Sequence, residues 1–231
     1  MRKIKFLVLG VMLAFSSQLA QAQDSTYVTN AYAKAVAMYQ TAQKYNDIAL
    51  SKQALIEISI LNPGDTAVLR SLAEIYYNSQ AFVSSAIVAM DMMQVDPNSI
   101  IAQEIAALSY ENLRLYDKAI EQYEKMWLSS ENVNILYQIT YLQYSLQRFT
   151  EAKTNLDILG EKVTNEDKIS LNNSDGNPQE VLFEAALYNL RGLIAVEQGN
   201  NEEAKGHFNK ALEISPVFDA AKASLDGLNK G

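Results

Sequence analysis

Small residues recur along this chain at a spacing that leaves few folds open. Ser51, Ser85 and Ala119 stand 34 residues apart, Ala152 follows after 33, and Ala204 repeats the pattern nearer the C-terminus. Four residues beyond each comes Leu55, Ala89, Tyr123, Leu156 or Phe208, and seven beyond comes Ile58, Met92, Met126, Leu159 or Ala211. Steps of four and three put such side chains on one face of a helix. Pro63 and Pro97, also 34 residues apart, close two of the copies. A fixed period of this size marks units that cannot bury their apolar faces alone and must stack on one another. The last copy, Ala185 to Phe218, shows how one unit is built. Gly192 and Ala204 are small where two helices come close, and Phe208 fills the gap between them. Gly199 ends the first helix and Pro216 stops the second.

Ala185–Phe218 resembles one complete tetratricopeptide repeat unit, a helix–turn–helix of about 34 residues. The resemblance implies an all-α fold, a right-handed α-solenoid of about five units with a C-terminal capping helix. The units fall at about 32–65, 66–99, 100–132, 133–166 and 185–218. In that register Ile48, Phe82, Tyr116, Phe149 and Asn201 are equivalent to one another. Tyr39 stands where a small residue is expected, and Glu131 and Thr164 replace the closing proline. The period breaks once, with an insertion of about 18 residues near 161–180. Its turn formers Asn172, Asn173, Asp175 and Gly176 predict a polar surface excursion, with Pro178 opening the next helix. Phe218, Ala221, Leu225 and Leu228 at helical spacing predict a short amphipathic helix over about 218–229 that covers the open end of the stack.

Residues 1–22 stand apart from the repeats. Arg2, Lys3 and Lys5 precede the ten-residue apolar run Phe6–Phe15, and Ala20, Gln21 and Ala22 form a small-residue cleavage site. These are the three parts of a secretory signal peptide, with cleavage expected before Gln23. The apolar run is too short to span a bilayer, so stable membrane insertion after cleavage is not expected. Without Arg2, Lys3 and Lys5, the 19 Lys and Arg fall to 16 against 27 Asp and Glu, a balance of −11. A surface this acidic disfavours nucleic acid and anionic lipid as partners. There is no cysteine, so neither disulfides nor a lipid-bearing N-terminal cysteine is available. These features predict an exported protein, periplasmic or secreted, held together by its repeated core.

No catalytic or metal-binding constellation is legible, and no cofactor is expected. His207 is the sole histidine and has no Asp or Ser constellation beside it. Phosphate loops, dinucleotide fingerprints and H-E-x-x-H are absent. In the Asn173–Gly176 turn, Leu171 and Leu182 occupy what would be the first and last ligand positions of a calcium loop, which excludes one.

The resemblance also implies a concave groove lined by the first helix of each unit. Carried onto this sequence, the lining residues are Arg70, Glu74, Tyr77 and Asn78, then Glu104, Leu108, Glu111 and Asn112. Tyr137, Tyr141 and Tyr144 follow, and then Asn189, Leu193 and Glu197, with Val196 between the last two. Tyr137, Tyr141 and Tyr144 are spaced i, i+4, i+7 and share one helical face. Arg70 is expected beside Glu104, and Glu104 and Glu111 beside the tyrosines. Carboxylates next to aromatic rings suit a peptide or protein segment carrying Lys or Arg and some apolar residues. Val36 and Gln40 stand where relatives that clamp a C-terminal carboxylate use Lys and Asn, which disfavours that mode. The reading is a non-enzymatic interaction scaffold. The alternative is an accessory subunit of a cell-envelope assembly or secretion complex, acting through its convex face or the 161–180 insertion. A glycan-active helical-repeat enzyme is a third reading, with no catalytic group to carry it.

Overall fold

The computed structural model describes residues 26–173 and 175–230. The signal-peptide reading of residues 1–22 lies outside them. The described residues fall into two compact parts, one up to Ser109 and one from Tyr110. The first helix, α1, covers residues 26–44. It is followed by α2 (Ile48–Leu61), α3 (Thr66–Asn78), α4 (Phe82–Val95) and α5 (Ile100–Asn112). Then come α6 (Tyr116–Ser130), α7 (Val133–Ser145) and α8 (Phe149–Lys162). Two short strands, β1 (Lys168–Asn172) and β2 (Pro178–Leu182), precede α9 (Phe183–Glu197), α10 (Asn201–Ile214) and α11 (Asp219–Lys230).

The helices start and stop where side chains satisfy their free ends. Asp47 accepts from the Leu50 N–H at 2.9 Å, and Asp65 from the N–H groups of Ala67 and Val68. Asn132 does the same for the N–H of Asn134. Such caps are each worth about 1 kcal/mol. Pro63, Pro97 and Pro216 follow the ends of α2, α4 and α10, where no helical N–H is needed. Where the proline is missing, Glu131 ends α6 in the left-handed conformation, φ 49°, and α7 begins two residues on.

The recurrent small residues Ser51, Ser85, Ala119, Ala152 and Ala204 are all buried, as are the ten apolar residues four and seven positions beyond them. In Ser85 the buried hydroxyl is not wasted: it donates to the Ala73 carbonyl at 3.0 Å, joining α4 to α3. Ile48, Phe82, Tyr116, Phe149 and Asn201 are the first residues of α2, α4, α6, α8 and α10. None of these five is buried.

The turn inside each helix pair is the same turn five times. Asp47, Ala81, Leu115, Arg148 and Asn200 each donate a backbone N–H to the carbonyl five residues back, on Ala42, Tyr76, Tyr110, Gln143 and Ala195. The residue just before each donor is left-handed: Asn46, Gln80, Arg114 and Gln147 at φ 53–59°, and Gly199 at 77°. This is the Schellman closure, which glycine suits best. Only the last turn has the glycine that the sequence singled out. Replacing Gln80, Arg114 and Gln147 together by glycine is therefore expected to stabilise the protein by roughly 1–3 kcal/mol, since left-handed strain outweighs the added freedom of the unfolded chain. Denaturant titration of the triple variant is the check, and an unchanged midpoint would show that these turns carry no strain.

The insertion is not a plain excursion. β1 and β2 pair antiparallel, with Ile169 opposite Val181 and Leu171 opposite Gln179. Asn173 shapes the loop between them, its Oδ1 accepting from the N–H groups of Asp175 and Asn177, and Gly176 supplies φ 80°. Ile169 and Val181 are 7% and 3% exposed. Pro178 thus begins a strand, not the next helix, and α9 opens at Phe183. A proline is tolerated there because its nitrogen faces the outer edge of β2, where no ladder bond is made. Gln179 fastens the hairpin to the turn before α11: its side-chain amide donates to the Val217 carbonyl and accepts from the Asp219 N–H. Phe218 and Ala221 are buried, and Leu225 and Leu228 pack on Ala195, Ala204 and Phe208. The last helix therefore covers the final helix pair.

Candidate functional site

The face of α7 that carries the three tyrosines is not uniformly open. Tyr137 is 6% exposed and meets Phe183 edge-on, ring centroids 5.6 Å apart. Burial pushes its hydroxyl well above the ordinary phenol range, with Tyr141 adding to the shift. Tyr144 is half-buried against Phe149, and its pKa is raised by burial first and then by Glu197 and Tyr141. Tyr141 alone is exposed, at 44%. The three rings are thus a floor, an outer ring and a wall: they share one helical face, and only the middle one is open to solvent. Phe183, two residues before the repeat begins, is what covers Tyr137.

Between α7, β1, α9 and the start of α11 lies a cleft of about 420 Å³. Tyr137, Tyr141, Asn189 and Leu193 line it, so these four expected residues do come together. Asn189 is 6% exposed, and its Oδ1 is buried with no hydrogen-bond partner. Such an acceptor costs about 1–3 kcal/mol if it stays unmatched. Ser170, Leu171 and Asn172 of β1 form the opposite lip, and Phe218 adds apolar surface. Sequence reasoning placed none of these last four in the site.

Tyr141 also borders a second hollow of about 240 Å³, shared with Glu111, Asn112 and Tyr116. Glu111 is tied in place there: it accepts from the Tyr123 hydroxyl and from Gln138 Nε2 at 2.9 Å. A carboxylate thus lies beside an exposed ring, as expected from the sequence, but it bridges α6 and α7 instead of standing free. No Lys or Arg lines either hollow. Glu197 is exposed at the end of α9.

The expected residues in the N-terminal part have local partners. Arg70 pairs with Glu74 on its own helix at 2.7 Å. Both partners are about half exposed, so the pair contributes at most about 1 kcal/mol. Tyr77 packs edge-on against Phe82 at 5.3 Å. Asn78 and Glu104 are exposed and Leu108 is half-buried. His207 lies 3.6 Å from Glu203 and beside the Tyr188 ring, a packed surface histidine. Among the described residues no group of three or more His, Cys, Asp or Glu converges as a metal site.

A helical-repeat protein with a cleft on the first-helix face is the class this geometry defines, and known proteins share that fold. The family model of the tetratricopeptide repeat matches residues 185–216. The fold is similar to the crystal structure of MamA, with a TM-score of 0.60 at 14% identity over 81% of this chain and 93% of that one. It is also similar to YrrB, described as a TPR protein with an unusual peptide-binding site, with a TM-score of 0.61 at 11% identity, covering 80% and 87% of the two chains. MamA from Desulfovibrio magneticus RS-1 aligns with a TM-score of 0.58 at 12% identity over 82% of this chain and 97% of its own. No curated protein sequence matches the chain significantly. The chain thus carries a segment at residues 185–216 that matches the tetratricopeptide repeat, and its fold is that of tetratricopeptide-repeat structures.

Proposed function

We propose that this chain is a non-catalytic adaptor that holds a peptide or protein segment in the cleft between α7 and α9. The observation that carries the reading is the exposed Tyr141 ring, set between a cleft of mixed lining and the Glu111 carboxylate, with no cation lining either hollow. An apolar side chain fits against Tyr137, Leu193 and Phe218, and a Lys or Arg fits beside Tyr141 and Glu111 through cation–π and ionic attraction. The peptide-binding site named for YrrB agrees with this reading. The acidic balance of the chain points away from nucleic acid and anionic lipid as partners. The adaptor works after export, in the periplasm or beyond the cell. The charged start, apolar run and Ala20–Ala22 site support that, and mass spectrometry of the exported chain should find it beginning at Gln23. A chain retaining Met1 would overturn export.

A second reading is docking in an envelope complex through an outer helix face. Val83, Ile87 and Met90, spaced i, i+4, i+7 on α4, are all exposed and apolar, which favours a partner there. One experiment separates the readings. Tyr141→Ala is expected to weaken the native partner by about 2 kcal/mol, as central aromatic anchors do, while leaving the melting curve nearly unchanged. Lost affinity in Ile87→Lys with Tyr141→Ala unaffected would move the partner to α4.

A further inference from the structure

Two strands make two edges, and in this hairpin the edges are treated differently. Asn173 donates its N–H to the Asn177 carbonyl, and Phe183 donates to Asp167. Antiparallel bonding alternates along a strand, so Ile169 and Leu171 face β2 with their backbone groups, and Lys168, Ser170 and Asn172 face away. On β2 the outward positions are Pro178, Glu180 and Leu182. That edge is blocked: Pro178 has no N–H, and the N–H of Leu182 donates to Ser215 Oγ at 3.2 Å. The edge of β1 is open. The outward backbone groups of Ser170 and Asn172 have no partner among the described residues, and both residues line the cleft opposite Tyr137 and Tyr141. An uncovered edge is a template for another strand, and proteins blunt edges that they do not use.

We propose that the cleft binds its ligand as a third strand, added to the free edge of β1. The occupant is an extended segment alternating apolar and basic residues. The proposal rests on the adaptor reading and states how the segment is held. The N–H and C=O groups of Ser170 and Asn172 pair with its backbone, giving affinity with little demand on sequence. Alternate side chains then point to one side, where Tyr137, Leu193 and Phe218 receive the apolar ones. Basic residues are selected by charge, because the lining of the two hollows holds the Glu111 carboxylate and no cation. Helical-repeat clefts have no strand edge of their own, so the inserted hairpin supplies what the helices lack.

The test uses phage-displayed random dodecapeptides selected on the full exported chain, with the best peptide synthesised and titrated. Ser170→Pro removes an outward N–H without touching the ladder to β2, and it is expected to weaken the peptide about tenfold. On the unaltered protein, N-methylating the peptide amides one at a time should cost a similar factor at every second position only. That pattern is independent of whether Ser170→Pro folds well. Binding that falls with Tyr141→Ala but ignores both backbone changes would overturn strand addition and leave the cleft as the adaptor site. Peptides that bind without any response to Tyr141→Ala would overturn both readings. Self-association that Ser170→Pro abolishes, seen by sedimentation, would replace the peptide with a second copy of this chain.

Discussion

Truncating Ile169 and Val181 together to alanine is expected to cost about 3–5 kcal/mol of unfolding free energy, a large share of what holds a domain of this size. The two face each other across the hairpin and are buried. Both strands lie against α9. Removing their methyl groups leaves a void that the strands cannot close, because Gln179 anchors them to the turn before α11. As neighbours the two changes are not additive, so the double variant, compared with each single one, is the informative measurement. Ser170→Ala on the exposed face should stay within about 0.5 kcal/mol. A loss below that size for the double variant, read from denaturant midpoints, would mean that the hairpin rides on the surface as its polar composition suggested.

A single added methyl group at Gly192 is expected to destabilise by about 1–3 kcal/mol. A β-carbon there would lie 2.5–2.9 Å from three carbons of the Phe208 ring, closer than atoms can approach. That ring is itself fully buried, so it has nowhere to swing. Alanine gains about 1 kcal/mol of helix propensity over glycine, which offsets part of the loss without reversing it. Gly206 on α10 is the control, since nothing lies within 4 Å of its added β-carbon. Gly206→Ala is expected to stabilise by roughly 0.5–1 kcal/mol. The same chemical change should thus have opposite signs on two facing helices. If both variants melt later than the parent, α9 and α10 are not in contact where Phe208 places them.

The Gly192–Phe208 contact was legible from residue size alone, because a small residue and a large one recurring at fixed spacing have one economical explanation. The burial of Ser51, Ser85, Ala119, Ala152 and Ala204 follows from the same logic. The hairpin is masked in the sequence because turn formers dominate it and the alternation beside them is short. Ile169 and Leu171 alternate with Lys168, Ser170 and Asn172 just before a glycine-bearing loop, which is the local mark of a strand. Pro178 fits the first turn of a helix, but an outer strand edge accepts a proline equally well. The left-handed turns at Gln80, Arg114 and Gln147 left no trace in composition, since the residue that suits them best is used only at Gly199. Tyr137 looked like an open groove residue because its cover, Phe183, lies outside the repeat that aligned it. The cleft itself needed both the period and the residues that break it.

Gln179 also sets an order of events. Its partners Val217 and Asp219 lie 38 and 40 residues further along the chain. The helix pairs before it close on turns of a few residues and can form soon after they are synthesised. The Gln179 anchor cannot form until α10 is complete and the chain has entered α11. A nascent or truncated chain therefore holds its helices before it has a finished cleft, and the last part to be made decides when the site exists.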